Sequence, residues 1–490
     1  MLHVWSVADV RAAEAELMAR LPEGALMRRA AAGLATQLIG LLRGRGGTYG
    51  SRVTLLIGAG DNGGDALLAG AALADRGVRV TAHLLVPEHA HQAGLATLLA
   101  AGGVLRPATA DAIEPAAIAV DGIVGIGGSG GLRPAAVPLV TAAAERSVLV
   151  VAVDLPSGVA PDTGAVEGEA VRADVTVTFG ALKPGLVLGD GATYAGQLRL
   201  IGIGLRPTVA PALQVLTNAD VAAILPMPDA DSDKYRRGVL GIVAGSTQYG
   251  GAAVLAVGSA LRTGIGMVRY AGRAGDAVRA RWPEVVVTDG RPGDAGRVQA
   301  WVVGPGIGTD SAARGELAEV LASDVPVLVD ADGLTLLARE PALARDRAAA
   351  TVLTPHDREF ERFGTAIGSD RLGAARRLAR DLGVTVLLKG NATIVAPPAG
   401  PAYANPTGSP WLATAGSGDV LSGCAGALLT GGVAPDVAAA AAAYPHGLAG
   451  QIAGLAASVT ALDVLETIPA ALLRVRGTPP SPGDRIVPIA

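Results

Sequence analysis

Residues 52–70, RVTLLIGAGDNGGDALLAG, decide the fold expected for the first half of the chain. An apolar run is followed by a glycine-rich loop and then by an Ala/Leu-rich run, an order that predicts a strand, a tight turn and a helix. Gly58, Gly60 and Gly63 complete the pattern G-x-G-x-x-G, in which glycines let a dinucleotide pyrophosphate approach a helix N-terminus. The stretch therefore predicts an α/β domain and raises the question of a dehydrogenase.

The second half of the dinucleotide fingerprint is missing. A ribose-binding acid is expected about 20 residues further on, but the next strand, VRVTAHLLVP, offers Thr81 and His83 and no acid. The loop itself carries Asp61 and Asp65, whose charges would repel a pyrophosphate. These carboxylates and Asn62 are hard oxygen donors, better suited to a cation or to ligand hydroxyl groups. A hydride-transfer site is thus disfavoured, and the alternative is an ordinary glycine-rich turn with polar helix caps.

Composition bounds the class of protein. A chain of 490 residues is long enough for two or three domains, and a net charge of −4 leaves no broad basic surface for nucleic acid. The single cysteine, Cys424, fits a reducing compartment and a small buried apolar residue. The N-terminus resembles an amphipathic helix and not a signal peptide. The longest apolar tract, residues 436–458, is mostly Ala and Gly and predicts packed helices. We expect a cytoplasmic protein with no membrane partner.

Strand-like and helical runs alternate along the chain, which predicts parallel sheets built from right-handed βαβ units. In the first part the strands are RVTLLIG, VRVTAHLLV, AIAVDGIVG, SVLVVAVDLPSG and DVTVTFG. The alternation stops where Pro and Asp accumulate around residues 204–238, and it resumes with GVLGIVAGS, QAWVVGPGIG, VPVLVDADGL, AATVLTPH and VTVLLKGNATIVAPP. Two α/β domains are predicted, over residues 1–217 and 218–490.

Polar residues that follow apolar strands mark the expected ligand edge of each sheet. In the first domain these are Asp61, Asn62, Asp65, Asp121, Asp154 and Ser157. The set contains acids and no candidate Lys or Arg, so Asn62, Asp121 and Ser157 with backbone carbonyl groups are predicted to hold a cation. Asp154 ends a wholly apolar strand, a setting that favours acid/base chemistry. The alternative for Asp154 is a turn or helix cap.

The second domain has a more specific pattern. The segment ATAGSGDVLSG predicts a glycine-rich turn that opens a helix, with the N–H groups of residues 415–418 forming an anion hole beside Asp419. An acid next to an anion hole suits phosphoryl transfer to an alcohol, because the acid takes the hydroxyl proton. Lys389 in LLKGNATIV is placed for nucleotide phosphates, or else is a solvated lysine at a strand end. Asp330 and Asp332 of DADGL are candidates for ligand hydroxyl groups or for Mg²⁺ through water.

These motifs together resemble the family of bifunctional NAD(P)H-hydrate repair enzymes. In that family an NAD(P)HX epimerase domain precedes an ADP-dependent NAD(P)HX dehydratase domain of the ribokinase-like superfamily. The motifs KGNAT, TPH with Glu359, and GSGDVLSG carry the likeness most strongly, and it extends to SVTALDVLETIPAAL near the C-terminus. The resemblance implies two three-layer α/β domains, a Rossmann-like epimerase domain and a ribokinase-like domain.

The resemblance also implies site residues. In the first domain it assigns K⁺ to Asn62, Asp121 and Ser157, acid/base catalysis to Asp154, and substrate binding to Asp61, Asn62, Gly63, Gly64, Asp65, Gly125, Ile126, Gly127, Gly128, Ser129, Gly130, Gly131 and Asp154. In the second it places NAD(P)HX against Ala253, Gly308, His356 and the catalytic Asp419, and the adenine nucleotide on Lys389, Gly390, Asn391, Ala392, Thr393 and Gly418. Departures from the family pattern are Asp61 for Asn, Ala66 for Gly, and Asp357-Arg358 for Pro-Gly.

The activity implied is epimerisation of R- and S-NAD(P)HX and dehydration of the S form to NAD(P)H with ADP, or alternatively ATP, and Mg²⁺. NADHX and NADPHX are the expected substrates, K⁺ is an expected cofactor, and a homo-oligomer is expected. The alternatives are a ribokinase-like kinase of a small alcohol, such as a sugar or vitamin precursor, and a nucleotide-sensing module without turnover. Accumulation of a phosphorylated product would distinguish the kinase.

Overall fold

Apolar runs of the sequence form strands that alternate with helices, and the computed structural model describes residues 1–128, 130–455, 458–477 and 486–489. The described strands are Leu2–Val4 (β1), Arg52–Ile57 (β2), Arg79–Leu84 (β3), Val104–Arg106 (β4), Ala116–Gly122 (β5), Ser147–Val153 (β6), Val175–Phe179 (β7), Gln197–Ile201 (β8), Leu213–Val215 (β9), Val239–Val243 (β10), Met267–Tyr270 (β11), Val286–Val287 (β12), Ala300–Val303 (β13), Val327–Val329 (β14), Thr351–Leu353 (β15), Thr385–Leu388 (β16), Ile394–Ala396 (β17), Ala402–Ala404 (β18) and Ile486–Ile489 (β19).

The helices connect these strands. They are Val7–Met18 (α1), Ala25–Arg43 (α2), Asp61–Ala74 (α3), Gln92–Ala100 (α4), Val137–Arg146 (α5), Gly191–Tyr194 (α6), Asn218–Ile224 (α7), Gly250–Thr263 (α8), Gly275–Arg281 (α9), Ser311–Leu321 (α10), Asp332–Arg339 (α11), Ala342–Arg345 (α12), Asp357–Glu361 (α13), Arg371–Leu382 (α14), Ser417–Leu429 (α15), Pro435–Gly454 (α16) and Ala461–Gly477 (α17). The chain divides into an N-terminal unit, residues 3–212 with β19, and a C-terminal unit, residues 213–477 with Met1 and Leu2.

The N-terminal unit is built on a parallel sheet of order β19-β8-β7-β6-β5-β2-β3-β4. Successive side chains of a strand face opposite sides of a sheet. Leu55 and Ile57 pack with residues of α2 and α3, whereas Leu56 packs with residues of α5. Helices therefore cover both faces, and the predicted three-layer α/β fold is confirmed.

The C-terminal unit has a sheet of order β1-β9-β18-β17-β16-β15-β14-β13-β10-β11-β12. The strands β10 to β16 pair with one another in parallel. Strand β17 pairs antiparallel with both of its neighbours, β16 and β18. Helices α8, α15, α16 and α17 share one buried cluster with this sheet. Helices α10 and α14 pack against β13 and β16 and contribute nothing to that cluster, so they lie on the opposite face.

Each sheet has a point where the strand order reverses, and such points form ligand crevices at the carboxyl ends of the strands. In the N-terminal unit β2 lies between β3 and β5, and the backbone at Gly58 touches that of Ile123 so closely that a Cβ at Gly58 would overlap the Ile123 carbonyl group. In the C-terminal unit β10 lies between β11 and β13, and Gly245 N–H donates to the Pro305 carbonyl at 2.6 Å. These two crevices are where the candidate sites lie.

The Ala-rich tract of residues 436–454 forms most of helix α16, whose middle is buried against its unit. Within the part of the chain that the structure describes, no helix combines the length and the apolar character needed to span a membrane.

Candidate functional site

A cavity of about 1350 Å³ opens at the reversal point of the N-terminal unit. Its walls include residues of helix α1, of the loop after β2, of segments 123–128 and 130–133, and Asp154. Of the predicted glycine-rich segment, Gly125, Ile126, Gly127, Gly128, Gly130 and Gly131 line the cavity, and Ser129 lies outside the described residues. Gly63 and Gly64 are not among its lining residues, because both are buried inside the first turns of α3. The cavity is large enough for a dinucleotide-sized ligand.

Asp154 lies at the end of β6, on the cavity wall, in a strained backbone conformation. Its φ of 66° is in the left-handed region, which a residue with a Cβ seldom adopts. The carboxylate is 6% exposed and its Oδ1 accepts from Thr178 Oγ1 at 3.0 Å and from the Phe179 N–H at 3.3 Å. Backbone strain of this kind is typical of functional sites, which makes Asp154 a candidate site residue.

Lys183 forms a buried ion pair with Asp154, which corrects the expectation that this site contains no lysine or arginine. The Lys183 ammonium group contacts Asp154 Oδ1 and also donates to Thr178 Oγ1 at 3.0 Å and to the Phe179 carbonyl at 3.1 Å. Its side chain is 1% exposed. Sequence reasoning missed Lys183 because it examined residues that directly follow apolar strands, and Lys183 comes four residues after β7 ends.

Three further acids face the same cavity. Asp65 is 6% exposed, and its Oδ1 has no hydrogen-bond partner among the described residues. Burial raises the pKa of Asp65 to about 8, with smaller contributions from Asp154, Asp61 and Glu14. Burial also raises the pKa of Glu14, on helix α1. Asp61 is exposed at the start of α3. A buried acid with a raised pKa and an ion-paired carboxylate therefore line one cavity.

The residues predicted to hold a cation lie close together at the crevice. Asp121 accepts from Ser157 Oγ at 2.7 Å and from the Ser157 N–H at 2.8 Å. Asn62 donates from Nδ2 to the Val153 carbonyl, and its amide packs against Gly125. Burial raises the pKa of Asp121 to about 6, and no lysine or arginine of the described residues forms an ion pair with it. A buried carboxylate without a cationic side chain fits a cation site.

An ion-pair network lies at the carboxyl ends of β14, β15 and β16 in the C-terminal unit. Lys389, directly after β16, contacts Asp330 Oδ1 at 2.8 Å and Glu359 Oε2 at 3.5 Å. Ser422 Oγ donates to the other Asp330 oxygen at 2.7 Å. Burial acts to lower the pKa of Lys389, but Asp330 and Glu359 outweigh it and the pKa is raised. Lys389 is therefore a fixed positive charge and not a solvated strand-end lysine.

Asp419 lies in the first turn of α15, beside this network. Burial, followed by the charge of Asp330, raises the pKa of Asp419 to about 7. The helix begins after Gly416, whose φ of 89° requires a glycine. The Ser417 N–H donates to the Thr414 carbonyl at 3.3 Å, so among the predicted anion-hole donors this one is already engaged. An acid that titrates near neutral pH at a helix N-terminus can act as a general base beside bound phosphate.

The other predicted residues of this unit surround the same edge. His356 caps helix α13 and its Nε2 lies 3.4 Å from Glu359 Oε1. The Gly308 N–H donates to Asp332 Oδ2 at 2.9 Å. Residues 389–393 form the turn between β16 and β17, and Thr393 Oγ1 donates a hydrogen bond to the Gly390 carbonyl within this turn. Gly418 lies close to Lys389, because a Cβ added at Gly418 would be 3.3 Å from Lys389 Nζ. Ala253 is fully buried and packs under Gly245, so its side chain shapes the site from behind.

Comparison with known proteins identifies the family. A family model described as YjeF-related protein N-terminus matches residues 23–185, and one described as NAD(P)H-hydrate dehydratase matches residues 240–470. The protein named bifunctional NAD(P)H-hydrate repair enzyme Nnr from Mycobacterium tuberculosis is 52% identical over 442 residues, which cover 90% of this chain and 92% of that protein. The chain belongs to this family of bifunctional NAD(P)H-hydrate repair enzymes.

A second relative agrees with this membership, and a solved structure shares the fold of the C-terminal unit. The Mycobacterium leprae enzyme of the same name is 51% identical over 454 residues, covering 92% of this chain and 94% of that protein. A ribokinase-like superfamily protein from Enterococcus faecalis V583 has a TM-score of 0.50 at 24% identity, covering 55% of this chain and 99% of that one, a likeness of fold alone. The predicted family, fold class and enzyme class are confirmed, and NAD(P)H-hydrate repair is favoured over the small-alcohol kinase.

Proposed function

We propose that the C-terminal unit dehydrates S-NAD(P)HX by phosphorylating the ring hydroxyl group. Asp419 takes the proton of the C6 hydroxyl, whose oxygen accepts a phosphoryl group from ADP. The C6–O bond then breaks with the electron pair of the ring nitrogen assisting, phosphate leaves, and loss of a proton from C5 restores the dihydronicotinamide. The observation that carries this proposal is Asp419 itself, an acid that titrates near pH 7 at a helix N-terminus beside a fixed lysine.

The nucleotide and its metal ion are part of this proposal. Lys389 to Thr393 and Gly418 would hold the adenine nucleotide, while Gly308, His356 and Asp419 would face NAD(P)HX. Among the described residues no group of three or more His, Cys, Asp or Glu side chains is arranged to hold a metal ion. Mg²⁺ would therefore enter with the nucleotide, and bound there it offsets charge on the phosphates. ADP as donor, in preference to ATP, stays a prediction from the family.

For the N-terminal unit we propose epimerisation of R- and S-NAD(P)HX in the cavity that Asp154 lines. Asp154 would act on the C6 hydroxyl group, and the ion pair with Lys183 would hold its carboxylate in place. The loop of residues 61–65 and the segment 125–131 would bind the dinucleotide. Asn62, Asp121 and Ser157 would hold K⁺, which supplies a fixed positive charge near a ligand phosphate or hydroxyl group. A cytoplasmic homo-oligomer stays a prediction.

Recovery of reduced-nicotinamide absorbance from a mixture of R- and S-NADHX tests both activities. The mixture is incubated with the protein, Mg²⁺, K⁺ and either ADP or ATP. Full recovery is expected with one of the two nucleotides. Recovery that stops at the S fraction would contradict the epimerase proposal, and a phosphorylated product that accumulates without free phosphate would contradict the dehydratase proposal in favour of a kinase.

The dehydration rate is expected to rise with pH through about 7, because the base must be ionised and burial raises the pKa of Asp419 to about 7. Glu359 and Asp332 act in the same direction as burial, while Lys389 opposes it. Glu359→Gln removes one negative charge and should move the acid limb of the kcat profile to lower pH. A limb that stays in place in Glu359→Gln would show that another group limits the rate.

A further inference from the structure

We infer that Asp65 is the second proton-transfer group of the N-terminal site, a neutral carboxylic acid that works with the ionised carboxylate of Asp154. This inference rests on the proposed epimerase function. It gives a chemical role to a side chain otherwise expected only to bind substrate, and it assigns opposite protonation states to two acids in one cavity.

The surroundings of Asp65 favour the protonated acid. The side chain lies in the first turns of α3 on the cavity wall, 6% exposed, and Oδ1 has no hydrogen-bond partner among the residues that the structure describes. No lysine or arginine of the described residues forms an ion pair with it. An ionised carboxylate in such a place would be costly to bury. Burial raises the pKa of Asp65 to about 8, which agrees with this geometry.

The surroundings of Asp154 are those of an ion-paired carboxylate. Its Oδ1 contacts the buried Lys183 ammonium group and accepts two further hydrogen bonds, from Thr178 and Phe179. Hydrogen-bond donors and a cation both stabilise the ionised form. Two acids whose environments separate their protonation states are the arrangement that acid/base chemistry requires, because one can donate while the other accepts.

Inversion at C6 can use both groups at once. The C6 carbon carries a hydroxyl group and the ring nitrogen N1, so it is a carbinolamine. Asp154 removes the hydroxyl proton, the C6=O bond forms, the C6–N1 bond breaks, and Asp65 protonates N1. Rotation about the C5–C6 bond presents the other face of the aldehyde. N1 then attacks C6 while Asp65 recovers its proton and Asp154 returns one to the oxygen. No oxidant, reductant or other reactant is consumed.

Two other acids of the cavity are weaker candidates for the donor. Asp61 is exposed at the start of α3, whereas Asp65 is buried. Glu14 is only partly buried, on helix α1, and the charge of Lys183 opposes the effect of burial on its pKa. Asp65 is the one of the three that is both deeply buried and without a partner for one oxygen.

The test is the rate of R-to-S interconversion of pure R-NADHX, followed by chromatography without nucleotide, in the full chain. Asp65→Asn keeps the shape of the side chain and removes the acid. We expect kcat to fall by about 100-fold or more with KM within about threefold, while dehydration of pure S-NADHX by the same preparation is unchanged. Asp65→Glu keeps a carboxylic acid, and its kcat should be at least about tenfold higher than that of Asp65→Asn. Asp75→Asn, on the exposed end of the same helix, is the matched control.

Each contrary result is distinct. Interconversion by Asp65→Asn within about threefold of the unaltered chain would overturn the inference, as would a loss confined to KM or an equal loss in Asp65→Glu. A larger fall in Glu14→Gln than in Asp65→Asn would move the donor role to Glu14 and overturn it too. Failure of the unaltered chain to interconvert R- and S-NADHX would instead refute the epimerase proposal on which the inference rests.

Discussion

Asp419→Asn is expected to lower the rate of NADPH or NADH recovery from S-NAD(P)HX by about 10²- to 10⁴-fold, the usual contribution of a general base. The amide cannot take the hydroxyl proton, whereas its shape and its place in the first turn of α15 are kept. Nucleotide affinity, measured by calorimetry with ADP and Mg²⁺, should change by less than about threefold. A variant that loses turnover but still binds the nucleotide identifies Asp419 as a general base and not as a nucleotide-binding residue.

Asp346→Asn, at the exposed C-terminal end of α12 in the same unit, serves as the control and should leave recovery unchanged. Near-normal turnover in Asp419→Asn would refute the proposed role. R-to-S interconversion should be the same in both variants, because neither residue lies in the N-terminal unit.

Lys183→Met is expected to destabilise the N-terminal unit and to abolish interconversion. Removing the ammonium group leaves the Asp154 carboxylate buried without its counter-charge, and breaking such a pair costs about 3–5 kcal/mol. Denaturant unfolding followed by hydrogen exchange of peptides from β6 and β7 would measure the loss in this unit alone. Dehydration of S-NADHX should persist under conditions in which the N-terminal unit unfolds first.

The double variant Asp154→Asn/Lys183→Met separates stability from catalysis. With the buried charge gone from both partners, most of the lost unfolding free energy should return, while interconversion should stay absent. Recovery of interconversion in the double variant would show that the ion pair serves only the fold. A single Lys183→Met variant as stable as the unaltered chain would contradict the burial argument itself.

Much of the fold follows from local patterns. The run before Gly58 is apolar over β2, and the structure places alternate residues, Leu55 and Leu56, against helices on opposite faces. The same reasoning placed Asp121 and Asp154 at strand ends, where the structure has them. It could not give the order of the strands, because strand order depends on contacts between residues far apart in the chain.

The sites divide in the same way. Motifs within one loop, such as residues 61–65 and 415–419, are recognisable because their residues are neighbours in sequence. Pairs of residues from different strands or helices are not recognisable in this way, because they are far apart in the sequence. Lys183 meets Asp154 across 29 positions, and Lys389 meets Asp330 across 59.

The sequence by itself determined an α/β chain of two domains, its family, and the loops proposed to carry the chemistry, because hydrophobic period and loop composition are local properties. The tertiary structure alone decided the surroundings of the ionisable side chains in those loops. It buried Asp65 with no hydrogen-bond partner for Oδ1 among the described residues, gave Asp154 a lysine, and held Lys389 between Asp330 and Glu359 beside Asp419. Protonation depends on burial and on neighbouring charges, and both are fixed only when distant segments meet at the edge of a sheet.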